Sequence, residues 1–81
     1  MKPRRTRYEM VWEILEYCTK PKRITQIIQG CNLNANSAEK YINILIDKNL
    51  LMKEGEFYKT TEKGIKFIEE IKSVYERLFL K

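Results

Sequence analysis

Seven cations in two short clusters are the groups in this chain best placed to do chemistry. Lys2, Arg4, Arg5 and Arg7 put a charge of +4 into residues 1–7, and Lys20, Lys22 and Arg23 put +3 into residues 20–23. Between them Glu9, Glu13 and Glu16 contribute −3; residues 24–60 cancel and residues 61–81 add +1. The net charge of +5 is therefore concentrated rather than spread. Clustered Lys and Arg raise a local positive potential that attracts polyanions; ordinary solubility charge is the plainer alternative. Other chemistries have less to stand on. The chain has no histidine and only Cys18 and Cys31, which excludes a standard Cys/His zinc site and histidine acid–base catalysis. No Gly-rich phosphate loop and no close carboxylate pair in an apolar setting occurs, which argues against an enzyme, and no cofactor is implied. Each cysteine neighbours apolar positions and reads as a small buried hydrophobe. A Cys18–Cys31 bridge acting as a switch at a helix corner is the alternative, suited to an oxidising compartment or a hyperthermophilic cell interior.

These groups need elements to hold them. The stretch Ile24 to Asn49 carries two helical patterns that meet at Gly30-Cys31-Asn32-Leu33. Gly30 is expected to take the positive φ that ends a helix. Asn34, Asn36 and Ser37 are candidate caps for the next one, whose apolar positions Ala38, Tyr41, Ile42 and Leu45 recur at steps of three and four. Two helices joined by a short Gly-containing turn make a helix-turn-helix unit, which commonly lays its second helix in a DNA major groove. Upstream, Thr6 and Glu9 form a capping box for a helix over about residues 6–18, with Tyr8, Val11, Trp12, Ile14, Leu15 and Cys18 as its core stripe. Pro21 separates it from a short helix over about residues 23–29. The third helix spans about residues 34–48, and Asn49 is suited to the left-handed position that closes it.

The period then changes. Leu51-Met52-Lys53 and Phe57-Tyr58-Lys59-Thr60 read as two strands around Glu54-Gly55-Glu56, a three-residue hairpin loop. Thr61 caps a last helix running to Lys81, about 30 Å long at 1.5 Å per residue, with Gly64 placed for a close backbone approach. That helix has too many apolar residues for one stripe. Phe67, Ile71, Val74 and Leu78 step as a heptad seam, while Ile68, Ile71, Tyr75 and Leu78 make an overlapping row. With 81 residues, a lone core is barely sufficient, and dimerisation is a common remedy. We therefore expect Phe67, Ile71, Val74, Tyr75, Leu78 and Phe79 to pair with a second copy. No apolar run reaches 18 residues and the N-terminus lacks a signal-type apolar segment, so an intracellular protein is expected.

The order helix, helix, turn, helix, hairpin, long helix resembles a winged helix-turn-helix protein. More narrowly it is similar to the small archaeal winged helix-turn-helix DNA-binding proteins with a C-terminal dimerising helix. ILEYC (14–18), GCNLN (30–34), KYINILIDKNLL (40–51) and FYKTTEKGIKFI (57–68) carry the resemblance. It implies a mostly α fold with one β-hairpin wing: a winged domain over residues 1–60, including a basic arm at 1–5, and a dimerisation helix over 61–81, together one structural unit. It further implies a homodimer joined by an antiparallel coiled coil and double-stranded DNA as ligand. The third helix would face the major groove through Asn34, Asn36, Ser37, Lys40, Asn43 and Ile44, and the wing would offer Lys53 and Lys59. Asn pairs bidentately with adenine, and Lys reaches guanine or phosphate.

Three departures from that pattern shift the expected contacts. Lys40 and Lys48 are offset by Glu39 and Asp47, the wing tip carries Glu54 and Glu56, and the distal helix holds only about two heptads. Electrostatic weight moves to Arg4, Arg5, Arg7, Lys20, Lys22 and Arg23. The expected function is DNA binding as a transcriptional regulator or architectural protein in the cytoplasm, associated with the nucleoid. The competing expectation is a winged-helix module that binds protein, which a neutral third helix and an acidic wing tip would suit.

Overall fold

The structure, a computed structural model, describes residues 6–79. Helix α1 spans Arg7–Tyr17, followed by strand β1 (Lys22–Arg23), helices α2 (Ile24–Gly30) and α3 (Ala35–Asp47), strands β2 (Leu51–Glu54) and β3 (Phe57–Thr60), and helix α4 (Glu62–Phe79). The three strands form one antiparallel sheet in the order β1-β3-β2. The fold is mostly helical with a hairpin wing and a long last helix, as expected.

Local chemistry sets the helix ends. Thr6 Oγ1 accepts the Glu9 N–H at 3.1 Å, and Glu9 Oε1 accepts the Thr6 N–H in return at 3.3 Å. At α3, Asn34 Oδ1 accepts the Ser37 N–H at 2.7 Å; Asn36 and Ser37 lie inside the helix, so Asn34 alone is the cap. Asn49 closes that helix with φ +62°, a left-handed conformation that Asn tolerates. Thr61 Oγ1 accepts the Gly64 N–H at 3.0 Å at the start of α4.

Two turn assignments change. Gly30 does not supply the positive φ; it is the last residue of α2, and Asn32 takes φ +54° instead. What Gly30 supplies is space, because a Cβ there would run into the Tyr17 ring. The hairpin loop holds two residues rather than three, since Glu54 pairs directly with Phe57. Gly55 has φ +62° at the first loop position, where a type II′ turn demands glycine.

The core gathers Ile14 and Leu15 of α1, Ile27 of α2, Ile42 and Leu45 of α3, Leu51 of β2 and Ile68 of α4. Full burial of one such aliphatic side chain contributes about 1.5–3 kcal/mol. Cys18 and Cys31 belong to this cluster as buried thiols, not a disulfide. Burial pushes the Cys18 thiol up to about 12; the neighbouring Cys31 adds to the rise and Lys22 opposes it. A thiol so held is a poor nucleophile and behaves as a small hydrophobe. Tyr8 departs from the expected core stripe: it is 82% exposed because the first turn of α1 reaches past the core.

The root of α4 is keyed into this assembly. Thr60 N–H donates to the Cys18 carbonyl at 2.8 Å and Thr60 Oγ1 to the Leu15 carbonyl at 2.6 Å. Thr61 N–H donates to the Leu50 carbonyl, and Thr61 Oγ1 to the Asn49 carbonyl at 2.7 Å. A Cβ on Gly64 would collide with that same Leu50 carbonyl, so the glycine permits the close approach expected of it.

Candidate nucleic-acid interface

The sheet joins two basic segments that lie far apart in the chain. Lys22 pairs with Tyr58 and Arg23 with Phe57, so the short strand β1 becomes the third strand of the wing. On the other side of β3, Lys53 faces Tyr58 and Met52 faces Lys59. Paired residues point to the same side of a sheet. Lys22, Tyr58 and Lys53 thus share one face, while Arg23, Phe57, Glu54, Met52 and Lys59 share the other. Both faces carry cations, and Glu54 sits among those of the second.

Aromatic rings hold three of these cations in place. Lys22 Nζ lies 5.0 Å from the centre of the Tyr17 ring, Arg23 Cζ 5.2 Å from that of Phe57, and Lys53 Nζ 5.7 Å from that of Tyr58. Such contacts contribute about 0.5–1 kcal/mol each when exposed and restrict long flexible side chains. The sequence reading missed Tyr17, Phe57 and Tyr58 in this role. The pairing of β1 with β3 is what reveals them, and a two-residue strand shows no alternation to find it by.

Helix α3 turns Ala38, Tyr41, Ile42 and Leu45 inward. Its outer ridge is Asn36, Lys40, Asn43 and Asp47, all exposed and spaced by four, three and four residues. Asn36, Lys40 and Asn43 therefore present two amides and one ammonium group along one line. Ser37 is half-buried on the flank of that ridge, and the side-chain oxygen of Asn34 is occupied by its cap. Ile44, seven residues on from Ser37 and so on the same flank, is 42% exposed.

The remaining expected contacts divide. Lys20 is exposed in the turn before β1. Arg7 is the first residue of α1 and lines a groove with Lys48 and Lys63, away from the sheet cluster. Arg4, Arg5 and the rest of the expected arm at 1–5 lie outside the described residues. On α4, Val74, Tyr75, Leu78 and Phe79 are each at least half exposed, whereas Phe67 and Ile71 are half-buried against the head. The Tyr75 and Phe79 rings contact each other with centres 4.9 Å apart. No group of three or more metal-ligating side chains occurs among the described residues, and none of their helices is long and apolar enough to cross a membrane.

A three-helix head with a hairpin packed beside its third helix defines a winged helix. The chain belongs to the winged helix-turn-helix family, whose sequence profile matches residues 4–78. It is similar to the crystal structure of Sso10a-2, a DNA-binding protein from Sulfolobus solfataricus, with a TM-score of 0.74 and 32% identity. That match covers 93% of this chain and 86% of the other. An uncharacterized protein of Methanocaldococcus jannaschii is 30% identical over 74 residues, covering 90% of this chain and 76% of the relative.

Proposed function

We propose that this protein binds double-stranded DNA as a homodimer and acts as a transcriptional regulator in the cytoplasm, associated with the nucleoid. The observation that carries the reading is the union of Lys22 and Arg23 with Lys53 and Lys59 in one sheet. Sharing a fold and 32% identity with a DNA-binding protein supports it.

In this reading Lys20, Lys22, Arg23, Lys53 and Lys59 meet backbone phosphates and set orientation, while Asn36, Lys40 and Asn43 approach base edges in the major groove. Arg4 and Arg5 add charge from the N-terminal arm. Asn34 and Ser37 serve mainly to start α3, which fixes the direction of the ridge behind them. The acidic wing tip, Glu54 and Glu56, stays clear of phosphate. The ridge of amides favours a regulator that reads sequence over a purely architectural protein. The homodimer rests on Val74, Tyr75, Leu78 and Phe79, an exposed apolar run continuous with Phe67 and Ile71. Contiguous apolar surface of this kind marks an interface more often than a free helix end.

A fluorescence-anisotropy titration of a labelled random-sequence duplex against salt tests the DNA reading. The wild-type chain should bind tightly in dilute buffer and lose affinity steeply as salt rises. The log–log slope changes by about 0.9 for each phosphate contact. Replacing Lys20, Lys22 and Arg23 together by Ala should weaken binding on every sequence and flatten the slope by about two to three units. Unchanged binding by the triple variant would remove this cluster from the site. Failure of the wild-type chain to bind at low salt would favour a protein-binding module instead.

A further inference from the structure

We propose that the groove between α1, α3 and the root of α4 is a binding site for a small amphipathic carboxylate. The anion sits among Arg7, Lys48 and Lys63, and the apolar body lies against Phe67 and Ile71. This inference does not depend on the DNA reading.

The groove has a volume of about 830 Å³, within the range of small-molecule sites. Its floor is apolar, formed by Val11 of α1, Tyr41 and Leu45 of α3, and Leu50. Phe67 and Ile71 continue that surface along α4. The charged lining is one-sided: Arg7, Lys48 and Lys63 are present, and no Asp or Glu lines the groove. Lys63 Nζ donates to the Lys48 carbonyl at 3.2 Å, which holds the root of α4 and the end of α3 together at one end of the cavity. None of the three cations has an ion-pair partner among the described residues.

Charge complementarity selects the occupant. An apolar cavity accepts a neutral hydrocarbon body, but three cations with no carboxylate opposite them favour a ligand that brings its own anion. A carboxylate bound to Lys or Arg makes short, charge-assisted hydrogen bonds, roughly twice as strong as neutral ones. Ile44 and Lys48 place one wall of the groove on α3, the helix that the proposed function turns toward DNA.

Calorimetric titration of the full chain with decanoate, decan-1-ol and decyltrimethylammonium, all below their micellar concentrations, tests the charge requirement. Decanoate should bind about tenfold or more tightly than the alcohol, and the cationic probe should be the weakest. The double variant Lys48→Gln/Lys63→Gln should lose that preference while keeping its affinity for decan-1-ol, which controls for folding. Methyl NMR shifts should fall on Val11, Leu45 and Ile71. A parallel titration with 2-naphthoate separates an aliphatic from an aromatic carboxylate, and binding of either supports the site. Equal affinity for decanoate and decan-1-ol, an undiminished preference in the double variant, or no binding of either carboxylate would overturn it. So would binding confined to a monomeric Leu78→Glu chain and absent from the wild-type dimer, which would assign the groove to a second copy.

Discussion

The two ends of α4 carry similar apolar residues and meet opposite fates. At the root, Ile68 is buried, Gly64 lies against the Leu50 carbonyl, and Thr60 and Thr61 bond to carbonyls of α1 and the end of α3. About three turns beyond Ile68, Leu78 and Phe79 are 70% and 68% exposed. The root is held by polar bonds and close packing that only one geometry satisfies. The distal end keeps its apolar area exposed among the described residues. Hydrophobic periodicity identifies an apolar face but does not say which surface covers it.

The contrast predicts different consequences for changes at the two ends. The largest effect is expected from Gly64→Val, which forces a branched side chain onto a backbone carbonyl and should cost about 3 kcal/mol. Urea unfolding monitored by circular dichroism measures it; a loss below about 1 kcal/mol would show that the approach is looser than described. Thr60→Val should cost about 2 kcal/mol in the same assay, because the hydroxyl that meets the Leu15 carbonyl is lost in a buried setting.

The thiol beneath that anchor gives a pH test. Cys18 titrates at about 12 in the folded chain, above its ordinary value of 9.0. The unfolded chain therefore loses this proton first, and stability is fully present below pH 9. Between about pH 9 and 12 it should decline by about 1.4 kcal/mol per pH unit from this group. Cys18→Ala should flatten the decline, and an equally steep fall in that variant would place the cause elsewhere.

The distal end should show the smallest change in fold stability and the clearest change in assembly. Leu78→Glu is expected to alter monomer stability by less than about 0.5 kcal/mol. Sedimentation velocity should nevertheless shift from dimer to monomer. A wild-type chain that sediments as a monomer would contradict the proposed interface, and a Leu78→Glu chain that unfolds as readily as Gly64→Val would erase the contrast between the two ends.

Much of this was legible in local sequence. Thr6 with Glu9, Asn34, Asn49, Thr61 and Gly64 each state a helix boundary or a close approach through their own chemistry, and each does what its residue type suggests. Non-local pairing was not legible. Lys22 and Arg23 announce charge, but their partners in the sheet are Tyr58 and Phe57, and two residues are too few to carry a strand period. Gly30 is ambiguous in sequence because a glycine serves either for positive φ or for space, and the Tyr17 ring that decides between them is thirteen positions away. The exposure of Tyr8 likewise depends on how far α1 extends past the core. For the candidate site, the cations and the outer ridge of α3 could be named in advance. The rings that hold Lys22, Arg23 and Lys53 emerged only with the fold.

Backbone amide NMR of the labelled chain, titrated with a random-sequence duplex in low salt, tests the central claim most directly. The account predicts shifts concentrated at Lys22, Arg23, Lys53 and Lys59 and along Asn36, Lys40 and Asn43, reversed by added salt. An unmoved spectrum, or shifts confined to α4, would contradict it.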